Sequence, residues 1–465
     1  MSPPDAHSAK AATAAAADAA PDATRLNRPA LAAVLLAVAM ATLDTAIANT
    51  ALPAIAADLQ ASAAASVWVI TAYHLAVVAS LLPFAALGDT LGPRRVYLGG
   101  LVFFTLASLV CALAPSLPWL AAARLLQGIG AGALMSVNLA LVRALFPAAQ
   151  LGRGVGVNAL VVGLSFAIGP TIASLVLSVA GWPWLFAVNV PVGLVALACA
   201  LPALPGAPRP DHPRLDGLTA ACTATTFAAL VLALGMAAQR EPWPWVAGPA
   251  ALALLAGALL LRRQAGHAAP MLPVDLLRRP LFALSSATSI ASFTAQGLAF
   301  VALPFYFEAV LGRDAIETGF LMTPWAVVVA LAAPLAGRLS DRHAPGLLGG
   351  IGLAVLSLGL VALALLPVRA PVADIVWRMA LCGAGFGFFQ SPNLRALMSA
   401  APPERSGGAS GMVAMSRLLG QSCGAALVAL CFGLAGTAGA TWALVLGAGF
   451  AALAAATSTA RLWAR

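Results

Sequence analysis

"GIGAGALMSVNLALVRALFP" (128–147) and "GAGFGFFQSPNLRALMSAAP" (383–402) are one segment met twice. At an offset of 255 residues, Gly128, Gly130, Gly132, Ser136, Asn138, Leu139 and Pro147 fall on Gly383, Gly385, Gly387, Ser391, Asn393, Leu394 and Pro402, and Gly156 falls on Gly411. Glycine and alanine are abundant, but an ordered run that includes Asn and Pro argues against chance. A second echo has the same sense. "ALGDTLGPRR" (86–95) and "GRLSDRHAPG" (337–346) occupy corresponding places ahead of the two segments. The chain therefore reads as two related halves.

What the halves are made of follows from composition. Of 465 residues, 61% are hydrophobic and 9% charged, with mean hydropathy +0.94, whereas soluble domains carry roughly a quarter charged residues. Apolar runs of about 20 residues match the rise of a helix across a hydrocarbon core. Fourteen such runs are expected, from 30–52 to 438–460. The alternation of a transmembrane barrel is absent, so helices must satisfy the backbone in lipid. The expected fold is an all-α integral membrane protein of 14 transmembrane helices: two pseudo-symmetric six-helix bundles (30–204 and 281–465, the latter with a short cytoplasmic tail) and two inserted helices with Pro-rich linkers (205–280). Residues 1–29, rich in Ala, Pro and Asp without an apolar core, read as a disordered cytoplasmic tail.

Charge sets the orientation. With the N-terminus inside, nineteen Lys and Arg residues fall on the inner side and three, Arg240, Arg313 and Arg369, on the outer side; Arg124, Arg378 and Arg417 lie within spans. This asymmetry predicts both termini in the cytoplasm. It also accounts for the +9 net charge as topology, so no nucleic-acid partner is implied. All six cysteines fall in spans without CxxC spacing, which suggests neither a disulfide framework nor a metal site.

One carboxylate interrupts the first span: Asp44 in "LDTAIANTALP" (43–53). An ionisable group at bilayer depth is costly and is by default a functional hypothesis; the bland alternative is an Asp bonded to neighbouring helices to specify packing. Arg124, in "RLLQGIGAGALM" (124–135), lies at comparable depth by the helix rise and is a candidate partner. The glycines after it lack the preceding strand of a dinucleotide loop and fit close helix packing.

These stretches, with those below, resemble the major facilitator superfamily, and within it the fourteen-helix drug:proton antiporters, over nearly the whole chain from Leu26. The resemblance assigns proton coupling to Asp44 and Arg124. It reads Asp89, Arg94 and Arg95 in "ALGDTLGPRR", and Asp341 and Arg342 in its echo, as an ion-pair latch between halves, although Ala85, Thr90 and Pro93 depart from the usual motif. "GVNALVVGLSFAIGPTIAS" (156–174) resembles the fifth-helix antiporter motif through Gly156, Gly163, Gly169 and Pro170, which implies a bendable, closely packed helix in an exporter. "WPWLFAVNVPVG" (182–193) is similar to a further fourteen-helix signature, with Pro183 where Arg is usual.

Other polar groups are weaker candidates for a substrate or proton site: Glu308 at the end of a long span, His74 in "TAYHLAVV", Asn49 and Gln127. His74 could relay protons or simply be a buried hydrogen-bonding residue. Arg378 and Arg417 show no acidic companion in sequence. No phosphate loop and no catalytic constellation stands out, so no enzyme activity, cofactor or metal is expected, and an ion gradient is the energy source. The resulting expectation is a monomeric proton-coupled antiporter in a bacterial inner membrane, exporting amphipathic, cationic small molecules. A dedicated exporter of one metabolite or antibiotic is the alternative. A membrane receptor is disfavoured by loops too short for a signalling domain.

Overall fold

The computed structural model describes residues 27–146, 150–205, 216–265, 274–402 and 405–463, and among these every regular element is helical. The long helices are α1 (Arg28–Asp58), α2 (Trp68–Leu91), α3 (Pro93–Ala112), α4 (Leu117–Leu145), α5 (Leu151–Val179), α6 (Asn189–Ala203), α7 (Gly217–Ala238), α8 (Trp243–Gln264), α9 (Pro280–Phe305), α10 (Ala315–Leu339), α11 (Pro345–Ala364), α12 (Val372–Ala400), α13 (Ser406–Ala435) and α14 (Gly439–Ala460). Thirteen continuous segments among the described residues are long and apolar enough to cross a membrane. The last of them, Ala409–Ala460, holds both α13 and α14. A 3-10 turn at Gly436–Ala438 separates these two, with Gly436 at φ +55°. Of the expected tail (1–29), residues 1–26 lie outside the described residues while Arg28 and Pro29 open α1; 206–215 and 266–273 of the Pro-rich linkers also lie outside them.

The repeat acquires a physical meaning in the packing. Five helix pairings in the first half, α1 with α5 and α6, α4 with α2 and α3, and α3 with α6, recur as α9 with α13 and α14, α12 with α10 and α11, and α11 with α14. The doubled glycines hold α4 and α12 at the centres of these sets. A Cβ at Gly130 would lie 2.6 Å from the Phe104 amide nitrogen, and one at Gly385 would strike that of Leu356. Gly128 and Gly383 likewise abut the carbonyls of Tyr73 and Trp325. The doubled asparagines are ties: Asn138 Nδ2 donates to Asn158 Oδ1 at 2.9 Å, and Asn393 Nδ2 donates to Ser289 Oγ at 2.7 Å. Close backbone approach through small residues is how helices associate in lipid, where no hydrophobic force draws them together.

The halves meet along two seams, α5 against α10 and α2 against α13, with α1 facing α9 between them. The inserted α7 packs on both α2 and α13, and α8 packs on α7. α8 turns Leu252, Leu254 and Leu255 outward, an apolar face suited to lipid. Asp216 caps α7, accepting from the Thr219 amide and hydroxyl and pairing with Arg263 of α8. Those donors hold its carboxyl down at about 2.

Several charged groups do not sit where the sequence placed them. Arg94 donates to the Leu201 carbonyl at 2.6 Å, taking up an acceptor that the end of α6 leaves free. Asp341 pairs with Arg395 of its own half. Asp89 and Arg95 are exposed and neither they nor the Arg342 side chain have a partner among the described residues, so the expected latch between halves is not formed in this conformation. Arg378, expected to lack an acid, is paired with Asp374 one turn earlier at 2.9 Å.

Gly130→Val should cost about 1–3 kcal/mol by overpacking α4 against α3, seen as a lowered melting temperature in detergent. Gly99→Ala, with nothing within 4 Å of the added carbon, should leave melting unchanged or slightly raised.

Candidate functional site

Asp44 lies near the middle of the 31-residue α1 and is 1% exposed. Among the described residues it is the one buried carboxylate. Its partners come from two other helices. Arg124 of α4, itself 0% exposed, forms an ion pair with Oδ2 through Nη1. Gln127, one turn further along α4, donates to Oδ1 at 2.9 Å, and Asn189, the first residue of α6, donates to the same oxygen at 2.8 Å.

A second layer fixes the donors. Arg124 Nε donates to the Val69 carbonyl at 3.1 Å and Nη1 to Gln127 Oε1 at 2.6 Å. Gln127 Nε2 also donates to Ser108 Oγ at 2.8 Å. The guanidinium lies 4.2 Å from the Tyr73 ring centroid and 5.4 Å from that of Phe186, so aromatic faces share the burden of its charge. Arg124 Nη2 has no acceptor. The arrangement is a charged pair, neutral in sum and satisfied on the carboxylate side.

A small cavity lies where the halves meet, lined by Asn49 of α1, His74 of α2, Phe166 of α5, Gln296 and Phe300 of α9 and Gln421 of α13. Its volume is about 10 Å³, room for about one water molecule. His74 is buried with no partner at either ring nitrogen, and Asn49 Oδ1 is likewise unbonded. Of the two readings of His74, the one bonded to neighbouring helices finds no partner among the described residues, and the ring lines the seam cavity. Gln421 donates to Gln296 Oε1 at 3.3 Å, and the Phe166 and Phe300 rings are 5.0 Å apart.

Glu308 is not part of this group. Pro304 removes a donor from the α9 ladder, the helix widens to a π turn over Tyr306–Val310, and Glu308 sits there, half-buried at the end of the span. The antiporter-motif residues divide. Gly169 is pressed on Ala46 of α1, and the carbonyl of Pro170 faces Gly319 of α10. A Cβ built at Gly156 or Gly163 would meet nothing within 4 Å, so close packing is confined to the Gly169–Pro170 end. At that end Thr171 and Thr323 share a hydrogen bond of 2.7 Å and Ser174 donates to the Ala315 carbonyl at 3.0 Å, across the seam.

Asn189 and Ser108 were not singled out from sequence. Asn189 carried a signal, an amide inside the quoted "WPWLFAVNVPVG"; Ser108 carried none, since serine is common in spans.

Two bundles of one pairing scheme, built from membrane-length helices and meeting around a polar pocket, define a two-bundle membrane transporter. The chain belongs to the Major Facilitator Superfamily, whose family model matches residues 34–425. It is 50% identical over 430 residues to the uncharacterized transporter YebQ of Escherichia coli (strain K12), covering 92% of this chain and 94% of that protein. It is 30% identical to the riboflavin transporter RibZ of Clostridioides difficile (strain 630), covering 84% and 85%. It is 31% identical to the multidrug resistance protein Stp of Mycobacterium tuberculosis (strain ATCC 25618 / H37Rv), covering 84% and 73%. The fold matches the crystal structure of a POT family transporter in complex with a thioalcohol-conjugated peptide, with TM-score 0.72 and 12% identity over 92% and 94% of the two chains.

Asp44→Asn should leave Arg124 buried without a counter-charge and cost about 3–5 kcal/mol. The double variant with Arg124→Gln should recover part of that loss, as a double-mutant cycle of thermal unfolding would show.

Proposed function

We propose that the protein is a proton-coupled antiporter that exports amphipathic small molecules by alternating access, with fourteen crossings when α13 and α14 are counted separately, both termini in the cytoplasm, and a bacterial inner membrane as its site. The observation that carries the reading is Asp44: a carboxylate near mid-span, bound by α4 and α6, on the helix that also supplies Asn49 to the seam cavity.

Protonation of Asp44 cancels its attraction for Arg124 and releases α4 from α1, while the ionised form draws them together. A proton and a cargo that favour opposite arrangements of such an element weaken each other's binding, as antiport requires. The α5/α10 seam is packed at the Thr171–Thr323 end, whereas toward the other end of α5 a Cβ at Gly156 or Gly163 would meet nothing within 4 Å. With the basic-rich side in the cytoplasm, the packed end is extracellular and the free end opens inward. A drug-sized molecule needs about 300 Å³ or more, so the seam must part further to admit one. Similarity to Stp supports export of foreign compounds; the chain's own polar cavity supports a cargo with hydrogen-bonding groups.

The test is uptake of sulforhodamine B and of rhodamine 6G into reconstituted vesicles with an acidic lumen. Wild type is expected to accumulate at least one dye in a manner abolished by a protonophore, and Asp44→Asn to match protein-free vesicles. Full gradient-driven uptake by Asp44→Asn would remove Asp44 from the coupling role. In a second experiment, cross-linking the double variant Thr171→Cys/Thr323→Cys should stop uptake, and a reductant should restore it; continued transport while cross-linked would exclude opening at this seam.

A further inference from the structure

Arg417 stands on α13 about 17 Å along the helix from Ser406, well inside the span. It is half-buried and has neither hydrogen bond nor ion pair among the described residues. It stands on the helix that packs against α2 at the seam, and Gln421, one turn further on, lines the seam cavity. An arginine at such depth is rare without a partner. Among the described residues no carboxylate is placed to supply one. Asp44, the one buried acid among the described residues, is already engaged by Arg124, Gln127 and Asn189. Among the described residues the charges around the seam are therefore one negative and two positive, which leaves one cation without a counter-charge inside the span.

We infer that the seam binds its cargo as an anion, with Arg417 as the counter-charge for a carboxylate, sulfonate or phenolate and the Phe166–Phe300 pair as the surface for an aromatic body. This rests on the transport reading and replaces the sequence-level expectation of a cationic cargo. A cation entering here would be repelled by Arg417 and would find Asp44 occupied. An anion gains a charge-assisted bond from a half-buried guanidinium that no group among the described residues engages. The unbonded groups of His74 and Asn49 remain for the cargo's neutral polar atoms. Under the internal repeat Arg417 corresponds to Val162, so this charge belongs to one half alone.

Sulforhodamine B and rhodamine 6G share a xanthene ring system and differ in net charge, and their binding to the purified full chain in detergent can be followed by fluorescence anisotropy. Wild type is expected to bind sulforhodamine B at least about tenfold more tightly than rhodamine 6G. Arg417→Gln should weaken sulforhodamine B by about 10-fold or more, the size of one hydrogen bond to a charged group, without weakening rhodamine 6G, and Arg417→Lys should retain most of the affinity. Preference of wild type for rhodamine 6G, or equal loss of both dyes in Arg417→Gln, would overturn the inference. Should Arg417→Gln fail to fold, the wild-type preference and Arg417→Lys decide. The two readings fail separately: anion selectivity without gradient-driven uptake sinks the antiport, and gradient-driven uptake of rhodamine 6G alone sinks the anionic cargo.

Discussion

A carboxylate and a guanidinium cannot be left apart at the depth where Asp44 and Arg124 lie. Taking each from water costs several kcal/mol even after relaxation, and only a good mutual geometry offsets that. The pair thus dictates where α1 and α4 stand relative to each other, and Gln127 and Asn189 extend the demand to α6. The glycine contacts of α4 and the rings of Tyr73 and Phe186 make room for a bulky ion among apolar side chains. Change the charge on either partner and the reason for this arrangement goes.

The two halves share a scaffold without sharing chemistry. Aligning Pro53 with Pro304 sets Asp44 against Ala295, and the 255-residue offset sets Arg124 and Gln127 against Met379 and Cys382. All three counterparts are buried and apolar. The repeat preserved what holds helices together, small residues at crossings and asparagine ties, and let the ionisable groups diverge. The first half carries the compensated pair; the second carries the uncompensated Arg417.

Much of this was legible in the sequence because a membrane leaves few choices. Helix positions followed from apolar length, and the depth of Asp44 and Arg124 followed from the helix rise. The last boundary was legible as well: the run expected from 438 starts at the Gly436–Ala438 turn, although the hydropathy of 409–460 is unbroken. The latch was not legible, because exposed arginines can satisfy themselves on any nearby carbonyl or carboxylate, as Arg94 does on Leu201 and Arg395 on Asp341. Asn189 and the isolation of Arg417 depend on which helices are neighbours, and nothing in a single chain of letters states that.

The inserted α7 gives the two seams unequal mechanics. It lies across the junction of α2 and α13 like a splint, whereas among the described residues neither inserted helix packs on α5 or α10 in the same way. Separation at α2/α13 must strip α7 from one side or bend it, a cost that comes on top of that seam's own contacts. Under the alternating-access proposal, rotation would then pivot near the splint and swing widest at α5/α10, as a door moves farthest at the edge away from its hinge. On that proposal, a helix pair outside the Asp44–Arg124 pairing would choose the side on which the passage opens.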